Sequence, residues 1–261
     1  MISPPTTVSA VRPLKVHVIG SSVSMFVEPM HGSRDTGTYG EQLAYQLTAD
    51  GVPTVTTQTG IWFGIIKQLL PRYERDVRDR FPDVLVINFG MGESQSNLLP
   101  HWAVRHLTTW HQTSRRGAYF YRRRVLPRVW KVLRAYQQNA CRLDKDITHR
   151  QRPASYQADM RRIINMVRKE CGSLILCIDL DPVGSRVEHW LPGSARRAAH
   201  YNRLLAEVVD EYDDGVRLVR ASETVDDVET MLPDGLHRTV EGHRRTAALL
   251  AQEIKDWLKA S

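Results

Sequence analysis

Apolar positions along this chain follow two alternating rhythms. Five short runs lie at 14–19, 52–56, 84–89, 174–180 and 216–219. Most are β-branched and unbroken by polar alternation, the pattern of parallel strands covered on both faces. Between them the apolar spacing becomes helical. Thr38-x-x-Glu41 is a capping-box signature ahead of Leu43, Tyr45 and Leu47. Residues 61–80 are amphipathic, with Pro71 predicting a break or kink. Tyr156, Met160, Ile163, Ile164 and Val167 recur at helical spacing and stop at Gly172, a C-cap residue type. The pattern repeats through Tyr201, Leu204, Leu205, Val208, Val209 and Tyr212. Val240, Ala247, Leu250, Ile254 and Leu258 carry it again, predicting a last helix over 239–258.

Strand and helix alternation predicts an α/β fold, a three-layer α/β/α sandwich on a five-stranded, mainly parallel sheet. One segment, 98–152, breaks the alternation. It holds no strand pattern and is too long for a loop inside a compact domain. Pro127 followed by Val129, Val132, Leu133, Tyr136 and Ala140 predicts an amphipathic helix there. Trp102, Trp110, Tyr119, Phe120, Tyr121 and Trp130 supply it with aromatic packing. The expected organisation is a tail over 1–13 and one domain over 14–258, with 98–152 as a helical insertion or cap.

Length and composition fit that picture: 261 residues suffice for one full core, and 42% hydrophobic with 25% charged residues is ordinary for a soluble globular chain. Cys141, Cys171 and Cys177 are odd in number and lack metal-ligand spacing, so a reduced, cytoplasmic protein is expected. No basic region followed by an apolar run opens the chain, and no window approaches the ~20 apolar residues of a membrane span. The net charge of +7 is concentrated in the insertion. There Arg122, Arg123, Arg124, Arg128, Lys131 and Arg134 are among many basic residues opposed only by Asp144 and Asp146. This is either a solvated helical face or a surface that attracts an anionic substrate. His101, His106 and His111 scatter around a helix, and no calcium-loop pattern surrounds the two aspartates. Neither a metal nor a cofactor is expected, and no nucleic-acid role is expected.

Two separated stretches carry chemistry. Val16-His17-Val18-Ile19-Gly20-Ser21-Ser22 places a serine at the exit of a buried strand, and Asp234-Gly235-Leu236-His237 precedes the last helix. A hydroxyl is a poor nucleophile until an imidazole takes its proton, and the imidazole needs an acid to fix its tautomer. An Asp three residues before a His can reach the ring's inner nitrogen. Ser22, His237 and Asp234 together compose a candidate Ser-His-Asp site, while His243, one turn further on, is expected to be structural.

The same residues carry a family resemblance. Residues 14–24 resemble the first block of the SGNH (GDSL-type) hydrolases, a strand followed by Gly-Asp-Ser-x-Ser. Thr57-Gln58-Thr59-Gly60 is similar to the second block, and Pro82 to Glu93 to the third, normally Gly-x-Asn-Asp after a strand. Asp234-Gly235-Leu236-His237, with Gly242, His243 and Ala247 behind it, is close to the fifth. The blocks occur in family order. The resemblance implies a flavodoxin-like sandwich with its site at the carboxyl ends of the strands. It also implies an oxyanion hole from the N–H groups of Ser22 and Gly60, with Gly92 as a third donor. Two positions depart from the pattern: Ser21 replaces the family's Asp, and Gly92 replaces the Asn whose amide donates to the oxyanion. Losing one such donor typically costs about a hundred- to a thousand-fold in rate. Either the Gly92 backbone N–H serves, or Asn97 substitutes, or the protein is a slow catalyst.

The expected activity is a serine-dependent acyl hydrolase acting on a small-molecule acyl substrate, anionic or carrier-linked. An acyltransferase using the same acyl-serine, and a non-catalytic binding protein on a decayed hydrolase fold, are the alternatives. The acyl group and the oligomeric state are not legible in the sequence.

Overall fold

The computed structural model describes residues 12–24, 37–61, 64–94, 151–213, 215–226 and 229–260. Within 95–150 it describes residues 124, 128, 129, 131, 132, 135, 136 and 139. The five strands are β1 (Leu14–Gly20), β2 (Thr54–Gly60), β3 (Val84–Asn88), β4 (Leu174–Ile178) and β5 (Val216–Val219). They form one sheet in the order β2-β1-β3-β4-β5, and every pairing is parallel. This is the doubly wound order of flavodoxin-like folds, in which the chain turns back beside the first strand and opens a crevice at the carboxyl edge.

Alternation along the strands divides the core in two. On one face Val16, Val18, Val84, Val86, Leu174 and Leu176 pack under α1 (Tyr39–Ala49) and the C-terminal helix through Leu43, Leu47, Leu250 and Ile254. On the other, Ile19, Leu85, Ile87, Ile175 and Cys177 pack under Tyr156, Ile163, Ile164, Tyr201 and Leu205. Every residue of β3 and β4 is buried, which is why neither shows polar alternation. Sheet-edge β2 alternates between exposed and partly buried side chains.

Several boundaries differ from expectation. The second strand runs over Thr54–Gly60 rather than 52–56, because an edge strand needs only one covered face and its Thr and Gln residues disguise it. The stretch 61–80 is not one helix in its described part. It folds as 3-10 turns at Ile66–Gln68, Leu70–Arg72 and Arg78–Arg80 around the short α2 (Tyr73–Asp76). Pro71 removes an N–H and crowds the preceding turn, so the chain tightens and re-forms. Ile66, Leu69, Tyr73 and Val77 still face the core, so the pattern located the buried face but not the element.

The remaining helices are α3 (Met91–Ser94), α4 (Pro153–Glu170), α5 (Ser185–Trp190), α6 (Ser194–Val209) and α7 (Val240–Ala260). Glu41 caps α1 as its signature predicts, its carboxylate accepting from Thr38 N at 2.7 Å. Most of the insertion over 98–152 lies outside the described residues, as does Asn97 just before it. Of the helix expected after Pro127, residues 128, 129, 131, 132, 135, 136 and 139 are helical and exposed.

Candidate active site

Ser22 sits where β1 ends, in a 3-10 turn over Ser22–Ser24. Ser21 N donates to Asn88 O at 3.1 Å, tying the turn to the end of β3. Ser24 closes it by donating its amide (3.1 Å) and its hydroxyl (2.7 Å) to the Ser21 carbonyl. The turn therefore leaves the carboxyl edge of the sheet between its two neighbours, with Gly20 in register with Gly60 of β2 and Asn88 of β3.

The opposing residues lie in a tight loop closed by a bridge between Met231 and Arg238. Leu232 N donates to His237 O at 2.7 Å and Thr239 N to Thr230 O at 2.8 Å. Inside the loop, Asp234 Oδ1 accepts from the amides of Leu236 (2.9 Å) and His237 (3.0 Å), an Asx-type turn. Its other oxygen, Oδ2, lies 2.6 Å from His237 Nδ1. Gly235 takes a left-handed conformation, φ +71°, and its carbonyl accepts from Gly184 N at 3.0 Å. A side chain on Gly184 would put its Cβ 2.7 Å from Gly235 Cα, so the backbone contact needs glycine.

His237 Nε2 lies 3.3 Å from Ser22 Oγ. The structure thus brings Ser22, His237 and Asp234 together across 215 positions of sequence. Burial pushes the Asp234 carboxyl up, but the His237 ring and the two loop amides outweigh it and hold it below its ordinary value. An ionised Asp234 is an acceptor only, so the Nδ1 proton faces it and Nε2 presents its lone pair to the Ser22 hydroxyl. Ser22 is 8% exposed, and the side chains of His237 and Asp234 are 13% and 21% exposed.

Gly60 ends β2 and Gly92 lies in α3, just after β3, so both stand at the carboxyl ends of the two strands adjacent to β1. At Gly92 a Cβ would fall 2.2 Å from the carbonyl oxygen of Gly64. No side chain fits there, asparagine included, unless the 64–66 backbone moves. Glu93, fully buried, holds that backbone: its carboxylate accepts from Ile66 N at 2.5 Å and from Gly90 N at 2.8 Å. Sequence reasoning did not single out Gly64 or Glu93, which shape the backbone beside Gly92. The available signal was the third block ending in Glu, whose longer side chain reaches across to the segment after β2.

His243 is buried in α7, its Nδ1 accepting from Tyr39 N at 3.3 Å. Among the described residues no group of three or more His, Cys, Asp or Glu is arranged to hold a metal ion, and no helix is long and apolar enough to cross a membrane.

No known family profile matches the chain, and no curated protein matches it at the level of sequence. Solved structures do. A lipase/acylhydrolase from Enterococcus faecalis superposes with a TM-score of 0.60 at 16% identity, over 93% of this chain and 96% of the other. An acetylxylan esterase from Geobacillus stearothermophilus gives 0.57 at 16% identity, over 92% and 94%. A family 3 carbohydrate esterase from Clostridium thermocellum gives 0.58 at 15% identity, over 95% and 98%. At these identities the likeness is one of fold, and with its five parallel strands between two helical layers the chain has the α/β fold of the SGNH hydrolases.

Proposed function

We propose that this chain is an esterase-type acyl hydrolase that works through an acyl-enzyme on Ser22. The observation that carries the reading is the continuous relay from Ser22 Oγ through both ring nitrogens of His237 to Asp234. Ser22 Oγ attacks the substrate carbonyl as its proton passes to His237 Nε2. Asp234 holds the ring in place and stabilises the imidazolium that forms. The tetrahedral intermediate collapses when Nε2 returns that proton to the leaving alcohol. Water then attacks the acyl-serine, with His237 taking one of its protons, and Ser22 is regenerated.

In this reading the developing oxyanion faces the N–H groups of Ser22 and Gly60, with the Gly92 N–H as third donor. No side-chain amide at position 92 assists, so turnover is expected to be slower than with a full donor set by up to about a hundred- to a thousand-fold. The solved structures it resembles are named as a lipase/acylhydrolase and as esterases, which makes an acyl ester the first substrate class to test. Neutral nitrophenyl acetate and an anionic acyl thioester then separate a neutral from a carrier-linked donor.

Fluorophosphonate labelling with mass mapping tests the reading directly. A phosphonyl adduct is expected on Ser22, and Ser22→Ala should lose both the label and ester turnover while its unfolding midpoint stays put. Asp234→Asn should keep the nucleophile but favour the wrong tautomer, lowering kcat by about 10⁴. Full activity in Ser22→Ala would overturn the mechanism in favour of binding without catalysis. Product analysis with added alcohol decides whether water or an acceptor receives the acyl group.

A further inference from the structure

Directly after His237, the chain buries a full positive charge. Arg238 is 1% exposed, and its guanidinium forms a two-pronged pair with Asp181: Nε to Oδ2 at 2.7 Å and Nη2 to Oδ1 at 2.5 Å. Nη1 donates to Thr246 Oγ1 in α7, and the guanidinium carbon stands 5.9 Å from the centroid of the Tyr39 ring in α1. Asp181, also buried, lies three residues past the end of β4. One side chain thus contacts the β4 exit, α1 and α7.

A pair of this kind is a poor device for stability alone. Removing both charges from water costs several kcal/mol per ion, and a well-packed apolar replacement is often as stable or more so. Its distinctive property is geometry, because a planar fork on a carboxylate fixes direction as well as distance. The two neighbouring side chains diverge here, His237 toward Ser22 and Arg238 toward Asp181. Beside this pair, the segment after β4 meets the loop through Gly184 N to Gly235 O at 3.0 Å and through Arg186 Nη1, which donates to Pro233 O at 3.4 Å, neither of which has the directional fork. We infer that Asp181 and Arg238 form a positioning pair that sets the His237 ring against Ser22, with no direct part in the chemistry.

The test uses the full chain and two variants. Asp181→Leu with Arg238→Met removes both charges at similar volume, and Arg238→Lys keeps the charge but loses the fork. Nitrophenyl acetate turnover gives kcat and KM, and urea unfolding gives the midpoint. Proton NMR follows the downfield His237 Nδ1–H resonance that the contact with Asp234 produces. The double variant should unfold at or above the wild-type midpoint, yet lose the resonance and about 10²-fold in kcat, the scale of an ångström misplacement, with KM within about twofold. Arg238→Lys should show the same split, and it decides by the same readouts if the double variant does not fold. A purely structural pair would move the midpoint and leave kcat of the folded protein and the resonance intact, which would overturn the inference. The kinetic readout rests on the hydrolase reading, whereas the resonance does not. If the wild type neither turns over ester nor takes the fluorophosphonate label, that reading fails, and loss or retention of the resonance in the variants still decides the positioning role.

Discussion

At the scale of single residues, the same strand that delivers Ser22 also buries an imidazole with no catalytic part. His17 is 1% exposed; its Nδ1 lies 2.7 Å from Thr57 Oγ1, and Nε2 has no hydrogen-bond partner among the described atoms. Burial, with Arg80 adding to it, lowers its pKa from 6.5 to about 4, against smaller opposing effects from Asp76 and Thr57. The unfolded chain therefore takes up this proton at a higher pH than the native state does. Stability is undiminished above pH 6.5, falls as pH drops toward 4, and has lost about 3 kcal/mol from this group below that. Urea titrations at pH 7.5 and 4.5 should show most of that loss in the wild type, and His17→Gln should remove its share of the difference. The candidate triad residues were legible because their chemistry is local: an Asp and a His share one loop, and a serine follows a buried strand. The charged pair behind them was not, because nothing in the string near Arg238 marks Asp181, 57 positions away.

Among elements, the informative contact joins the segment after β2 to the short helix after β3. Gly64 and Gly92 approach so closely that the two positions act as one unit, locked by the buried Glu93 carboxylate. Placing at position 92 the asparagine of the SGNH pattern is therefore expected to harm rather than help. Gly92→Asn forces its Cβ onto the Gly64 carbonyl, and such overpacking typically costs about 1–3 kcal/mol. The lower unfolding midpoint should come with a fall in kcat; a gain in kcat at unchanged midpoint would show that the 64–66 segment yields easily. Element type was legible wherever both faces of a strand are covered, as in β3, β4 and β5. In β2, where one face is open, the strand was legible but its boundaries were not, and element type failed where Pro71 divides an apolar face among several turns. Those outcomes depend on which neighbours arrive in three dimensions, which spacing alone does not encode.

For the whole molecule, the division into two cores follows from central strands buried on both faces, β3 and β4 above all, so the three-layer fold was readable from the sequence. The net charge of +7 acts at the same scale. Arg124, Arg128 and Lys131 are all exposed. Changing the three to Gln should raise KM for an anionic acyl donor at low ionic strength and leave a neutral ester unaffected. The difference should fade at 1 M salt, where the Debye length is about 3 Å. Equal effects on both esters would assign these residues to packing instead. The pairing of α1 with α7 has a temporal side. Leu43 and Leu47 on α1 have their cover on that face supplied by Leu250 and Ile254, and Lys255 completes the contact through Asp50, 205 positions earlier. At roughly 5–20 residues per second of synthesis, α1 waits on the order of ten to forty seconds for its partner. During that interval its apolar stripe lacks the cover of Leu250 and Ile254. His237 follows Ser22 by 215 positions, so the relay proposed for catalysis cannot form in the nascent chain before that stretch has been made.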